Sequence, residues 1–359
     1  MIVGIHNTWP HKPDYISDVY RQILKANNIT YVDLDSSQPD FWEKIEEIDF
    51  FIYRWAHTDY HHQHAKTIIP VIEDIYGKPC FPNQATSWHY DDKVKQSLML
   101  KAAGYPTCDF VTFWDKKPAM DWVKNTAQYP FVFKLKSGSG SLQVKLIKNR
   151  SLGIRHVKKM FGRGFSTNYQ GIHATLKTFN YNLPKTFKNI AKSLYYRFIP
   201  QRMRPYWTRQ QNYFYAQKFQ PDNAYDTRVQ ITGMRAFAFV RYNRENDFRA
   251  SGSNNWTLAH DKIDMDFVRI AFDVSKRFGF QSMAYDFIYD KARKPVIVEI
   301  SYCFGDYPEF STGYWDENLI WHEGRYLPQY LELVDLLGKK DLLLPDSVKP
   351  SSSYKNVEA

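Results

Sequence analysis

Met283-Ala-Tyr-Asp-Phe-Ile-Tyr-Asp-Lys-Ala-Arg-Lys-Pro-Val-Ile-Val-Glu-Ile300 reads as two strands, residues 283–289 and 296–300, around a short loop at 291–294. The symmetric register has its centre between Ala292 and Arg293, so Asp286 pairs with Glu299. Directly opposed side chains share one face, with Cβ atoms roughly 4.5–5.5 Å apart, where two ionised carboxylates repel unless something positive lies between them. A hard divalent cation such as Mg2+ suits that position, because it takes few protein carboxylates and completes its shell with phosphate oxygens and water. The plain alternative is a hairpin with an exposed carboxylate pair.

Upstream, residues 226–231 and 235–241 form another hairpin through Thr232-Gly233, and a helix over 265–278 separates the two hairpins. Earlier still, Pro130-Phe-Val-Phe-Lys-Leu-Lys-Ser-Gly-Ser-Gly-Ser141 is a strand running into a glycine-serine loop. The backbone N–H groups of such a loop can close on oxyanions, and Lys134 and Lys136 share one face of the strand that feeds it. A strand is expected over 107–113, a helix over 118–125, and a helix over 91–104 that Asp91 or Asp92 caps and that carries Val94, Leu98 and Ala102 as its apolar stripe. The first 85 residues alternate strands (2–5, 30–33, 50–53) with helices (13–27, 40–45, 61–76), the pattern of an open parallel sheet with crossover helices.

Charge is concentrated. From Trp122 to Pro221 there are 19 Lys and Arg and no acid, and residues 151–212 alone hold 12 of them, leaving 36 basic against 38 acidic residues elsewhere. Within that segment, 185–198 places Phe187, Ile190, Ala191, Leu194, Tyr195 and Phe198 at helical spacing among Lys185, Lys188, Lys192 and Arg197, a basic amphipathic helix. It reads as a solvated lid, as a contact for an anionic membrane surface carrying a lipid-linked precursor, or as a nucleic-acid surface with Tyr195, Tyr196, Tyr206 and Trp207 for stacking. Nucleic acid ranks last, since the rest of the chain is not basic and holds no such motif.

At 359 residues and 43% apolar, the chain can bury a large core, and only the tail from about Ser347 resembles disorder. Met1-Ile-Val-Gly-Ile5 opens as a strand without signal-peptide character, and no apolar run is long enough to span a bilayer. Cys80, Cys108 and Cys303 are widely spaced and odd in number, which fits buried thiols in a reducing cytoplasm. His57, His61, His62 and His64 cluster, but without cysteine nearby they are expected to face solvent or substrate. Tyr314-Trp315 and Trp321-His322 read as packing, with sugar stacking as the alternative.

In order along the chain stand Lys93, the Lys134–Ser141 stretch, Tyr215-Ala-Gln-Lys-Phe219, Asp226-Thr-Arg228, Phe248-Arg249, and Asp286 with Glu299. With these in that order and spacing, the chain resembles the ATP-grasp superfamily over residues 91–305. The resemblance implies an α/β fold with α+β lobes: a Rossmann-like pre-ATP-grasp domain at 1–85, an ATP-grasp domain at 86–340 with a basic helical insertion at about 151–212, and a tail at 341–359. It implies ATP and Mg2+, with Lys93, Lys134 and Lys136 approaching the phosphates. Ser137, Gly138, Ser139, Gly140 and Ser141 would cover them, and Gln217, Lys218 and Phe219 would read adenine. Arg228 and Arg249 would bind the reacting phosphoryl and acyl groups, Asn254 or Asn255 would orient a substrate, and Asp286, Glu299 and Ser301 would ligate metal. Two positions depart from the family pattern: Ser301 stands for the usual Asn, and Lys218 for the usual Glu.

The activity this resemblance implies is ATP-dependent joining of a small-molecule or glycan carboxylate to an amine through an acyl phosphate. A phosphotransferase, or a module that binds nucleotide or glycan without catalysis, is the alternative. The stretches 81–93, 298–302 and 313–324 are similar to ATP-grasp proteins encoded with bacterial surface-polysaccharide genes, which implies a cytoplasmic protein with peripheral contact at the membrane's inner face through 151–212.

Overall fold

The computed structural model describes residues 1–8, 14–55, 57–138, 144–166, 209–253, 255–305 and 313–348. In chain order its first elements are β1 (Ile2–His6), α1 (Tyr15–Ala26), β2 (Thr30–Leu34), α2 (Phe41–Glu47), β3 (Phe50–Ile52), α3 (Asp59–Pro70), β4 (Cys80–Phe81), α4 (Gln84–Ser87) and α5 (Lys93–Ala102). There follow β5 (Phe110–Phe113), α6 (Lys116–Asn125), β6 (Phe131–Phe133), β7 (Lys145–Ile147), α7 (Arg150–Met160), β8 (Phe165–Ser166), β9 (Arg209–Gln210) and β10 (Phe214–Lys218). The remainder comprises β11 (Tyr225–Thr232), β12 (Arg235–Tyr242), β13 (Trp256–Thr257), α8 (Met265–Phe278), β14 (Ser282–Tyr289), β15 (Pro295–Ser301), β16 (Gly313–Asp316), β17 (Trp321–Glu323) and α9 (Pro328–Leu337).

These elements form two compact units, one from residues 1–56, 64–107 and 220–359 and one from 57–63 and 108–219. In the larger unit, β2-β1-β3-β4 make the parallel sheet expected from the alternating pattern, with β4 as an added edge. Its second sheet is antiparallel, in the order β15-β14-β11-β12-β16-β17, with β13 on β12. One apolar core serves both sheets, because Tyr53 and Trp55 at the end of β3 pack in the same cluster as Val229, Ile231, Tyr285 and Ile300. Each such buried side chain contributes on the order of 1.5–3 kcal/mol.

The hairpin β11-β12 turns at Gly233, whose φ is +57° and whose position would bring a Cβ within 2.0 Å of the Asp335 carboxylate. A side chain there would have to displace the Asp335 carboxylate, which Arg235 at the strand start meets at 3.0 Å. Helix α8 has the boundaries read from its sequence: the Asp264 side chain accepts from Asp266 N–H, and Gly279 in the left-handed region ends it.

The smaller unit is an antiparallel sheet, β5-β10-β6-β7, with the helices α6 and α7 packed on each other. Helix α7 starts at Asn149, whose side chain accepts from Leu152 N–H. The expected amphipathic helix at 185–198 and the aromatic residues 195, 196, 206 and 207 lie outside the described residues. Among the described residues, no helix is long and apolar enough to cross a membrane.

Three details differ from the sequence reading. Strand β6 ends at Phe133, so Lys134 and Lys136 lie past it, although Lys134 N–H still bonds Tyr215 O at 3.4 Å. Helix α5 leaves Leu98 half exposed and buries Lys93, Val94, Gln96, Ser97 and Leu100, a mixed face instead of the apolar stripe. His61 is 1% exposed, against a solvent-facing cluster, and His64 Nε2 bonds Ser36 Oγ. Tyr314-Trp315 and Trp321-His322 form the hairpin β16-β17, where Trp315 is buried and meets Trp321 edge-on at 4.7 Å, so they pack. Cys80 and Cys108 are buried free thiols, whereas Cys303 is partly exposed.

Candidate active site

Register brings the charged residues of the antiparallel sheet together. On β11, Asp226 and Arg228 are two residues apart and share a face; Asp226 lies opposite Arg241 on β12, and Arg228 opposite Asp286 on β14. Asp286 in turn pairs with Glu299 on β15, as the hairpin centre predicted. A bulge follows immediately, so that Phe287 faces Ile297 and the symmetric register fails beyond the pair. The turn itself is built by Asp290, whose carboxylate accepts from Ala292 and Lys294 N–H at 2.8 Å each, with Arg293 at φ +60°.

Asp286 is fully engaged. Arg228 meets it with Nε at 2.7 Å and Nη2 at 2.8 Å, one bond to each oxygen, and Arg241 Nη2 adds a contact at 3.0 Å. Burial opposes its ionisation, but the two guanidinium groups outweigh burial and hold the carboxyl well below the usual carboxylate range. Arg241 also makes a bidentate pair with Asp226 at 2.6 and 2.8 Å. For Asp226 burial dominates and, with Asp286 nearby, raises its pKa despite Arg241.

The opposite end of the site is set by α5. Asp92 caps that helix by accepting from Val94 and Lys95 N–H at 3.2 and 3.1 Å, and Asp91, at φ +51°, turns the chain into it. Lys93 then stands in the first turn with Nζ 2.9 Å from Glu299 and 4.0 Å from Asp91. Gln96, one turn on, accepts from Ile300 N–H at 3.4 Å. These contacts explain the polar face that α5 buries: it lies against the strand that carries Glu299. Burial lowers the Lys93 pKa, yet Glu299 and Asp91 more than restore it and leave it raised.

The carboxylate pair is thus neutralised by protein cations. Asp286 and Glu299 are hard oxygen donors directly opposed on neighbouring strands, and no group of three or more His, Cys, Asp or Glu that could hold a metal occurs among the described residues. Two opposed carboxylates are a donor set that fits Mg2+, which takes few protein carboxylates and completes its shell with phosphate oxygens and water. Ser301 donates to Cys303 O at 3.0 Å, which leaves its oxygen lone pairs for acceptance.

Other expected residues are placed as follows. In the smaller unit Lys134 is 5% exposed, and Lys136 N–H bonds Tyr213 Oη at 2.8 Å with its ammonium 5.6 Å from that ring. Gln210 donates to Ser137 Oγ, and Gly138 has φ +116°. Ser139, Gly140, Ser141 and Asn254 lie outside the described residues. Gln217 is buried in the β10 ladder, and Lys218 gives its N–H to Asp109 O at 2.8 Å and its ammonium to the Asp109 carboxylate at 3.2 Å. Phe219 follows directly. In the larger unit Arg249 is paired with Asp247, Nε to Oδ1 at 2.9 Å, and Asn255 O accepts from Tyr242 N–H at 2.8 Å. The sequence reading gave no role to Arg241, and it named Asp91 only as a candidate cap of α5. The turn expected at Thr232-Gly233 falls one residue later, at Gly233-Met234, and that shift sets Arg241 opposite Asp226.

No family model and no curated protein matches the sequence. Solved structures do match in fold. N5-carboxyaminoimidazole synthetase from Staphylococcus aureus has a TM-score of 0.54 at 11% identity, over 96% of this chain and 78% of that one. Biotin carboxylase from Campylobacter jejuni, solved as a β,γ-ATP complex, gives 0.54 at 11% over 93% and 70%. D-alanine–D-alanine ligase from Bacillus anthracis gives 0.52 at 14% over 84% and 86%. All three are ATP-grasp proteins, and this chain has the ATP-grasp fold.

Proposed function

We propose that the chain is an ATP-dependent carboxylate–amine ligase. The observation that carries this reading is the convergence of Arg228, Arg241 and Lys93 on the opposed carboxylates Asp286 and Glu299. A binding scaffold has no need of so dense a set of buried charges, whereas phosphoryl transfer needs positive charge around the γ-phosphate and carboxylates to hold its metal. Ligases and a carboxylase among proteins of this fold agree with it.

In this reading a substrate carboxylate oxygen attacks the γ-phosphorus of ATP, the bond to the β-phosphate oxygen breaks, and ADP leaves. An amine nitrogen then attacks the acyl carbon, phosphate departs with the C–O bond, and the amine loses its proton to give the amide. Mg2+, held by Asp286 and Glu299 with Ser301, would neutralise charge on the phosphate oxygens. Arg228 would stabilise the transferring phosphoryl group, with Arg241 holding Asp286 and Asp226 in place. Lys93, Lys134 and Lys136 would hold phosphates, Ser137 to Ser141 would exclude water from the acyl phosphate, Gln217 to Phe219 would receive adenine, and Arg249 and Asn254 would orient the acyl group.

The substrate proposal is narrower. The carboxylate or the amine belongs to a bacterial surface polysaccharide or its precursor, with an amino acid or another amine as its counterpart. The support is the sequence resemblance of 81–93, 298–302 and 313–324, and the basic segment 151–212 would bring the protein to the inner membrane face.

The test is phosphate release from ATP with sugar acids and amino acids presented singly and in pairs, using 18O-labelled carboxylates. Release that requires both partners, with one 18O carried into phosphate, is the expected result. A phosphorylated product without amide would make the protein a phosphotransferase. No turnover with any pair, together with tight nucleotide binding, would make it a binding module.

A further inference from the structure

Lys93 and a divalent cation compete for one carboxylate. The Lys93 ammonium is 2.9 Å from Glu299 Oε1, and its side chain is 5% exposed, whereas that of Glu299 is 32% exposed. A cation ligated by Glu299 within reach of Asp286 would stand beside that ammonium, where like charges in a partly desolvated site repel strongly. Metal binding therefore weakens the hold of Glu299 on Lys93. Asp91 also pairs with this ammonium, but at 4.0 Å the contact is longer than a hydrogen bond. Phosphate oxygens of a nucleotide are strong acceptors that can replace the Glu299 contact. Asp286 differs, because two guanidinium groups share it and Arg228 alone bonds both its oxygens.

Resting on the ligase reading above, we infer that Lys93, through its pair with Glu299, makes divalent-cation and nucleotide binding depend on each other. The Lys93–Glu299 pair holds metal affinity down until phosphates draw the ammonium away. Linkage makes the effect reciprocal: metal on Glu299 releases Lys93 toward the phosphates and tightens nucleotide by the same factor.

The experiment titrates Mn2+ alone, and Mn2+ with saturating ADP, into the full chain of the wild type, Lys93→Met and Glu299→Gln, following free Mn2+ by electron paramagnetic resonance. For the wild type, ADP is expected to tighten Mn2+ roughly tenfold or more, within the usual span of such couplings. Lys93→Met should bind Mn2+ alone about tenfold tighter than the wild type, with little added by ADP. Glu299→Gln should lose Mn2+ yet bind metal-free ADP severalfold more tightly, since its Lys93 is released, a gain that a misfolded variant cannot show. If Lys93→Met binds Mn2+ alone no better than the wild type, or if Glu299→Gln gains nothing toward ADP, the coupling role is overturned and the ligase reading stands. A wild type that binds no Mn2+–ADP at all removes both.

Discussion

Replacing Arg241 with methionine is expected to lower the unfolding free energy by about 3–5 kcal/mol, the scale for removing one partner of a buried ion pair. Its side chain is 9% exposed, and those of Asp226 and Asp286 are 17% and 13% exposed. The cost falls unequally. Asp286 keeps Arg228 on both oxygens, whereas among the described residues the hydrogen bonds to the Asp226 carboxylate come from Arg241. Adding Asp226→Asn to Arg241→Met removes the stranded charge and should recover roughly 1–2 kcal/mol, a sign opposite to that of most second mutations. Urea unfolding of the two single variants and the double variant measures both terms. Equal stability of Arg241→Met with and without Asp226→Asn would show that Asp226 does not depend on Arg241.

Acid is the second strong lever. His89 is fully buried against Phe280, with ring centroids 5.1 Å apart, and neither ring nitrogen has a hydrogen-bond partner among the described residues. Burial pushes its pKa down to about 3, and that of His6 down to about 4. Both folded values lie below the ordinary histidine value, so the unfolded chain takes up these protons first as pH falls. The stability each ring contributes is complete above about pH 6.5 and is lost steadily below it, by at most about 1.4 kcal/mol per pH unit. At pH 5 each ring should have forfeited roughly 2 kcal/mol. His89→Phe, which keeps an aromatic ring on Phe280 and cannot protonate, should therefore gain on the wild type progressively between pH 7 and pH 5. An offset that stays constant across that range in urea titrations would contradict the assignment.

Much of the site was legible because strand register is arithmetic. The Asp286–Glu299 pairing follows from the hairpin's centre, whereas Asp226 opposite Arg241 depends on a turn at Gly233-Met234, one residue past the Thr232-Gly233 expected. What register cannot reveal is how the charges are settled. The reading placed a metal between the opposed carboxylates and did not foresee that guanidinium and ammonium groups from β11, β12 and α5 also meet them. Helix α5 shows why its face was misread: hydrophobic periodicity picks Val94, Leu98 and Ala102, but the helix packs on β15 through Lys93 and Gln96, and a functional contact overrode the apolar stripe. The bulge after Asp286 had no signal in residue type, since Val298 fits a regular strand as well as a bulged one.

The central claim is that Asp286 and Glu299, with their attendant cations, form a magnesium-nucleotide site. Calorimetric titration of ADP into the wild type and Asp286→Asn, with and without Mg2+, tests it most directly. Magnesium-dependent binding is expected, weakened in Asp286→Asn by at least the roughly 10–100-fold that loss of a metal ligand's supporting partner costs. ADP affinity that is the same with and without Mg2+, and the same in both proteins, would contradict it.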